Sequence, residues 1–263
     1  MSEKTPRSDP HNSPPDSHSP LSGKTALITG AAKRLGRDLA LALAAEGARV
    51  VIHYNTSANE AEDTARQLRA KGTQAWTLQA NLSDARQVEV LFPRAVEMAG
   101  PMDILVNNAS IFPKSRLETL TPEELHESLG INTLAPLVLS RAFAAQRREG
   151  SILHLLDARM MDHDAGHAAY HLSKRMLFTL MRMMALEFAP LVRVNAVAPG
   201  LVLPPPGETE EYLKRLEHTN PLQTHGDSAD VTEAALYLLR SRFVTGQVIF
   251  VDGGRHMKGS MYG

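Results

Sequence analysis

Polar and apolar positions change period repeatedly along this chain. From Lys24 onward, short runs of β-branched and aliphatic residues alternate with longer segments in which apolar residues recur at helical spacing. The short runs predict strands over Thr25–Thr29, Arg49–Tyr54, Gln74–Leu78, Asp103–Asn108, Ser151–Asp157, Arg193–Pro199 and Gln247–Gly254. The longer segments predict helices over Leu35–Ala45, Ala58–Ala70, Asp84–Met98, Thr133–Arg147, His167–Phe188 and Ser228–Leu239. One more helix starts near Pro122, a residue suited to a first helical turn, behind Thr121 as its cap. Seven strands joined by helix-length crossovers predict an α/β fold, a doubly wound parallel sheet with helices on both faces. Such sheets bind ligands beyond the carboxyl ends of their strands. No Pro/Gly-rich linker interrupts Lys24–Gly254, so residues 23–263 read as one domain.

The first 22 residues differ. They hold five of the sixteen prolines, six serines and almost nothing bulky and apolar. That surface cannot offset the entropy of ordering, so residues 1–22 are expected to be a disordered tail. Over the 263 residues, 28 basic and 29 acidic side chains leave a formal charge of −1, which excludes a strongly basic nucleic-acid binder. No apolar run approaches the ~20 residues of a membrane span. Neither nucleic acid nor a membrane is therefore an expected partner. The absence of cysteine excludes disulfide scaffolds, cysteine-ligated zinc and thiol nucleophiles, and it fits a reducing, cytoplasmic setting.

Near-neutral charge hides a local asymmetry, because Lys33, Arg34 and Arg37 crowd one turn. The segment Thr29–Gly36 (TGAAKRLG) follows the first strand and leads into a helix. Glycines at Gly30 and Gly36 let the backbone approach a pyrophosphate, and the helix N-terminus supplies N–H donors and a positive dipole end. The second strand ends in Tyr54, Asn55, Thr56 and Ser57, with no acid before Glu60. A carboxylate there would bind a ribose 2′-hydroxyl and repel a 2′-phosphate. Hydroxyls, amides and the nearby cations predict NADPH rather than NADH.

Tyr170 and Lys174 stand four residues apart in a predicted helix, on one face. A free tyrosine titrates near pH ~10. A lysine about 4–6 Å away is expected to stabilise the phenolate and lower that pKa, giving an acid–base group.

Thr29–Gly36, Asn107-Asn108-Ala109, Asn132, Tyr170-x3-Lys174, Pro199-Gly200 and Asp252-Gly253-Gly254 together resemble the ordered motifs of the short-chain dehydrogenase/reductase superfamily. The resemblance covers Lys24 to Gly254 and implies a Rossmann-type sheet and a single NADP-binding domain. It implies that Tyr170 exchanges a proton with substrate, that Lys174 binds the nicotinamide ribose, and that Asn132 holds a proton-relay water. It also places Asn108, Ala109, Pro199 and Gly200 beside the cofactor.

Two positions depart from the common superfamily pattern. The sixth residue of the turn is Arg34, and Asp157 stands where a catalytic serine lies thirteen residues before the tyrosine. A serine donates a hydrogen bond to a carbonyl, whereas an ionised aspartate only accepts and repels a developing oxyanion. Either burial protonates Asp157, or the substrate offers donors there, as a heterocycle with ring N–H and amino groups does. Phe112, just past the fourth strand, offers an aromatic face to a planar ring.

The set Thr29–Arg37, His53-Tyr54-x2-Ser57, Asn107–Phe112 and Asp157-x12-Tyr170 is similar to pteridine reductases in particular. That resemblance implies cofactor contacts from Gly30, Arg34, Leu35, Gly36, Tyr54, Asn55, Ser57, Asn81, Leu82, Asn108, Ala109, Ser110, Tyr170, Lys174, Pro199 and Gly200. It implies substrate contacts from Arg34, Ser110, Phe112, Asp157, Tyr170 and Leu201, with Asp157 joining Tyr170 in proton delivery. Thr56 departs from a basic residue of that family, and Asn81 replaces an acidic one. The proline-rich loop Leu201–Gly207, with a helical segment Glu208–His218, reads as a stiff lid.

His163, His167 and His171 recur every four residues, and surface or subunit contact is their expected role, without a metal. Met176, Met181, Met183 and Met184 read as core or interface. The expected activity is NADPH-dependent reduction of a pterin or folate, a dihydro form going to the tetrahydro form. The alternatives are a carbonyl reductase of the 3-oxoacyl-thioester or sugar-alcohol type and a non-catalytic NADPH-binding sensor. A homo-oligomer, a tetramer by resemblance, is the expected assembly.

Overall fold

Unbroken apolar runs in a strand mean that both of its faces are covered. Ala26 and Ile28 pack into one apolar layer while Leu27 between them packs into the other. Val50 and Ile52 against Val51, and Ile104 and Val106 against Leu105, repeat the alternation. The computed structural model describes residues 19–205 and 207–261. Its strands are β1 Thr25–Ile28, β2 Arg49–Tyr54, β3 Ala75–Gln79, β4 Ile104–Asn107, β5 Gly150–Leu155, β6 Val192–Pro199 and β7 Val248–Val251. They form one sheet in the order β3-β2-β1-β4-β5-β6-β7. All pairs are parallel, with Ala26 opposite both Val50 and Ile104. The order reverses between β1 and β4, and a crevice opens there beyond the strand ends.

The helices are α1 Arg34–Ala45, α2 Ala58–Ala70, α3 Ala85–Ala99, α4 Pro122–Leu129, α5 Ala135–Ala144, α6 Ala168–Glu187, α7 Glu210–Leu216, α8 Ser228–Arg240 and α9 Arg255–Met261. α1, α2 and α8 cover one face; α3, α5 and α6 cover the other. The doubly wound α/β architecture expected from the sequence is present. Thr121 caps α4 in a reciprocal box with Glu124. Among the described residues no helix is long and apolar enough to cross a membrane.

Four expectations need correction. The helix expected over Thr133–Arg147 starts instead as a π turn, Gly130–Leu134, in which Ala135 N–H reaches back to Gly130 O. Pro136 has no N–H to give the Asn132 carbonyl four residues earlier, so the ladder widens there. β7 ends at Val251, because Asp252 turns inward to bind the Gly254 and His256 amides. The short helix α9 then follows where none was expected. Residues 19–22, expected in the tail, are folded against the domain: Leu21 is 3% exposed in the core, and the Ser19 hydroxyl donates to Glu46. The part of that expectation covering residues 1–18 lies outside the described residues.

Candidate active site

The turn after β1 is held from below. Thr29 Oγ1 accepts the Asn108 and Ala109 amides at 3.0 Å each. Asn108 Nδ2 donates to the Thr29 and Gly30 carbonyls at 2.9 and 3.1 Å. The end of β1 is thereby fastened to the end of β4. Gly30 needs its φ of +63°, and a Cβ on Gly36 would sit 2.2 Å from the Gly30 carbonyl oxygen. Sequence reasoning missed the third fastening, His53 in β2. Its Nδ1 accepts the Gly30 N–H at 3.1 Å, and its Nε2 lies 3.0 Å from the Ala80 carbonyl. Burial lowers its pKa to about 4, so the ring is neutral and can accept.

Above this turn, α1 begins with no side-chain cap from Lys33 and no acid in its first turn. Amides there, with Lys33 and Arg34 exposed beside them, suit an anion. Tyr54, Asn55 and Ser57 stand at the end of β2 and Asn81 with buried Leu82 past β3. Asn81 Oδ1 is occupied by Ser83. A dinucleotide laid along these strand ends would meet backbone donors first, then neutral polar groups and cations.

The proposed proton donor lies on the other side of the crevice. Asp157, just beyond β5, caps a 3-10 turn over Ala158–Met161, its Oδ1 accepting the Arg159 N–H at 2.7 Å. Its Oδ2 accepts the Tyr170 hydroxyl at 2.8 Å. Lys174, one turn on in α6, donates to the Leu155 carbonyl at 2.8 Å, and its Nζ lies 5.6 Å from the Tyr170 ring centroid. Burial pushes the Lys174 pKa down to about 8, against the pull of Asp157. The expected lowering of the Tyr170 pKa is reversed. Burial first, and then the Asp157 carboxylate, raise it well above the usual phenol value. The lysine does not outweigh a carboxylate in direct contact, so the phenol holds its proton.

Asn132 lies in the π turn with its side chain fully committed. Its Oδ1 accepts Ile111 N–H at 2.8 Å and Ser110 Oγ at 3.1 Å. Its Nδ2 donates to Ile111 O and to Ser173 Oγ, both at 3.0 Å. Two lone pairs and two N–H groups are the whole capacity of an amide. The side chain positions the Ser110–Phe112 loop on α6 and has no place left for the expected water.

One cavity of about 470 Å³ brings together Arg34, Ser110, Phe112, Asp157, Tyr170 and Leu201, with Pro199 and Gly200 in its wall. Tyr54, Asn55, Ser57, Asn81 and Leu82 are not among its lining residues. Leu203 and Pro205 of the proline-rich loop close it with Tyr212 and Leu216 from α7; Pro206 of that loop lies outside the described residues. Arg34, with a φ of +56°, reaches the lid and donates to the Pro204 carbonyl.

The cavity also contains Arg159, Asp164, His167, His171 and Arg255, which sequence reasoning left out. Two of the periodic histidines, expected at a surface or subunit contact, therefore line this cavity. Asp164 gathers them, with His167 Nδ1 at 2.8 Å, His171 Nε2 at 3.2 Å and Arg159 Nη1 at 3.0 Å. Burial acts to raise the Asp164 pKa, but the His167, Gly166 and His171 hydrogen bonds outweigh it and hold the carboxyl at about 2. Phe112, 42% exposed, stacks on His167 at 3.8 Å and meets the Tyr170 ring edge-on at 4.6 Å. The four-residue histidine spacing was the only signal of this cluster in the sequence.

Comparisons with known proteins agree on the scaffold. A family model described as enoyl-(acyl carrier protein) reductase matches residues 30–256. The 3-oxoacyl-(acyl-carrier-protein) reductase FabG of Staphylococcus aureus is 31% identical over 242 residues, 89% of this chain and 98% of the relative. Versicolorin reductase 1 of Aspergillus parasiticus is 33% identical over 253 residues, 89% of this chain and 97% of the relative. Among solved structures, FolM alternative dihydrofolate reductase 1 from Brucella canis, complexed with NADP, superposes with a TM-score of 0.84. That pair shares 31% sequence identity over 90% of this chain and 96% of the other.

Proposed function

The chain belongs to the short-chain dehydrogenase/reductase superfamily, and on that premise we propose that it is an NADPH-dependent reductase of dihydropterins or dihydrofolate. It is an oxidoreductase, and the NADP complexes of similar structures support NADPH as the reductant. The hydrogen bond from Tyr170 to Asp157 carries the reading toward a ring C=N. A ketone becomes an oxyanion as hydride arrives, and a carboxylate in the usual serine position opposes that charge. A ring C=N bond takes hydride on carbon and needs a proton on nitrogen, with no oxyanion to stabilise. Asp157 can also accept N–H groups of an aminopterin ring.

NADPH, when bound, supplies the hydride. Gly30, Gly36 and the first amides of α1 would hold its phosphates, Asn55 and Ser57 would face the 2′-phosphate, and Asn81 and Leu82 would take the adenine. Phe112 stacks on the substrate ring, with Ser110 and Leu201 at its edges. Tyr170 gives its proton to the ring nitrogen, and the Lys174 cation offsets the phenolate left beside Asp157. A relay water at Asn132 is held by its backbone carbonyl, since the side chain is engaged. Leu172, Met176, Met183 and Leu186 leave an apolar stripe exposed on α6, which supports a homo-oligomer joined through this helix.

The 3-oxoacyl and versicolorin reductase relatives favour a second reading, a carbonyl reductase. Purified protein mixed with NADPH and a panel of dihydrobiopterin, dihydromonapterin, dihydrofolate and acetoacetyl thioester separates the two. We expect turnover with the pteridines. Turnover of the thioester alone would reject the pteridine reading, and NADPH binding without any turnover would leave only a sensor.

A further inference from the structure

Three arginines line the active-site cavity, and two are spoken for. Arg34 donates to Pro204 O, and Arg159 is paired with Asp164. The third, Arg255, opens α9 and is partly buried. Among the described residues its guanidinium has no hydrogen-bond or ion-pair partner. The acids around it are already engaged. Asp157 holds Tyr170 and the Arg159 amide. Asp164 holds His167, His171 and Arg159. Asp252 holds His256 and the Gly254 amide. Burial is the main influence lowering the Arg255 pKa; the neighbouring Arg159 charge adds to it, and Asp157, Tyr212 and Asp252 offset it only in part.

A partly buried cation whose neighbouring carboxylates are hydrogen-bonded to other groups keeps unmatched N–H donors, which is costly unless something else completes them. A planar guanidinium presents paired N–H donors that match a carboxylate. Resting on the pteridine reading above, we propose that Arg255 is a specificity-determining residue that binds a carboxylate on the substrate's side chain, with Arg159 beside it. The preferred substrate is then a carboxylate-tailed pteridine of the folate class, rather than a pterin with a neutral side chain. The motif Asp252-Gly253-Gly254 had suggested only a strand end, yet its turn is what aims the next residue at the cavity.

The test compares KM for dihydrofolate and for the neutral dihydrobiopterin in the full-length enzyme and in Arg255→Ala and Arg255→Lys. We expect wild type to favour dihydrofolate. The ratio of KM for dihydrofolate to KM for dihydrobiopterin should rise about tenfold or more in Arg255→Ala and by less in Arg255→Lys. Competitive inhibition of wild type by p-aminobenzoylglutamate should weaken with added salt; this arm stands even if Arg255→Ala does not fold. An unchanged KM ratio in a folded variant, or inhibition indifferent to salt, overturns the assignment while the pteridine reading survives. An Arg255 effect on acetoacetyl-coenzyme A but not on dihydrofolate would overturn it in favour of a phosphate tail. No turnover of any pteridine by wild type removes the functional reading itself, and this inference with it.

Discussion

The Tyr170 hydroxyl donates to Asp157 Oδ2 across 2.8 Å, and burial, together with that carboxylate in contact, holds the phenol protonated. In a site built to reduce carbonyls, a neutral hydroxyl in that position would share with the phenol the task of donating to an oxyanion. Here the second group accepts from the phenol, which on the proposed pteridine reading suits substrates that bring their own N–H donors.

Asp157→Ser tests that difference. Dihydropterin or dihydrofolate turnover should fall at least about tenfold, as expected on losing a proton-handling partner. Reduction of an acetoacetyl thioester should hold or rise, because a donor replaces a repelling charge. Steady-state rates on both substrates decide it. Parallel losses on the two would show that Asp157 does not select the substrate.

Lys174 gives a pH signature. Its pKa is pushed down to about 8 by burial, so the free enzyme loses this cation as pH rises through that value. The charged form offsets the Tyr170 phenolate, so kcat/KM should be maintained below pH 8 and fall above it with unit slope. Lys174→Arg, whose charge persists, should lower the rate but remove the limb up to pH 10. A limb of equal position in both enzymes would assign the titration to another group.

The sheet was readable because a buried parallel strand needs an apolar run and a crossover needs helical length, and both are local facts. Tyr170 with Lys174, and Gly30 with Gly36, were readable for the same reason, since a few residues separate each pair. The rest of the site is made by folding. Asp164, His167 and His171 reach the cavity from a loop and a helix start whose residues are also plausible at a surface. Arg255 arrives from beyond the last strand, and no periodicity marks a short helix of seven residues. The direction of the Tyr170 pKa differs from the expectation because spacing showed the lysine and could show neither the burial of the phenol nor the carboxylate in contact.

Gly36 probes the turn proposed to hold the cofactor. A Cβ there would lie 2.2 Å from the Gly30 oxygen and 2.5 Å from Asn108 Nδ2, and the first of these is backbone that cannot step aside. Gly36→Ala should open the turn, cost about 1–3 kcal/mol of stability and lower Tm by several degrees. NADPH affinity should drop tenfold or more because the turn amides lose their alignment. Fluorescence titration with NADPH and a thermal melt measure both. Wild-type affinity in the variant would mean that the cofactor does not use this turn.

His53 links the same turn to acid stability. Buried and neutral, with a pKa of about 4, it takes no proton in the folded chain where an unfolded histidine, near 6.5, already does. Between pH 6.5 and 4 the unfolded state therefore binds more protons, and stability must fall as pH falls. The full shift corresponds to about 3 kcal/mol. His154, completely buried and lowered to about 3 by burial and then by the Lys174 charge, adds to the same slope. His53→Gln keeps an acceptor for Gly30 N–H and a donor for Ala80 O but cannot titrate. Urea unfolding of both proteins at pH 7 and pH 4.5 isolates the term. Whatever the substitution costs at pH 7, the variant should lose about 2–3 kcal/mol less than wild type on acidification. Equal losses would show that His53 takes its proton as readily folded as unfolded, and that the Gly30 contact does not depend on its neutral ring.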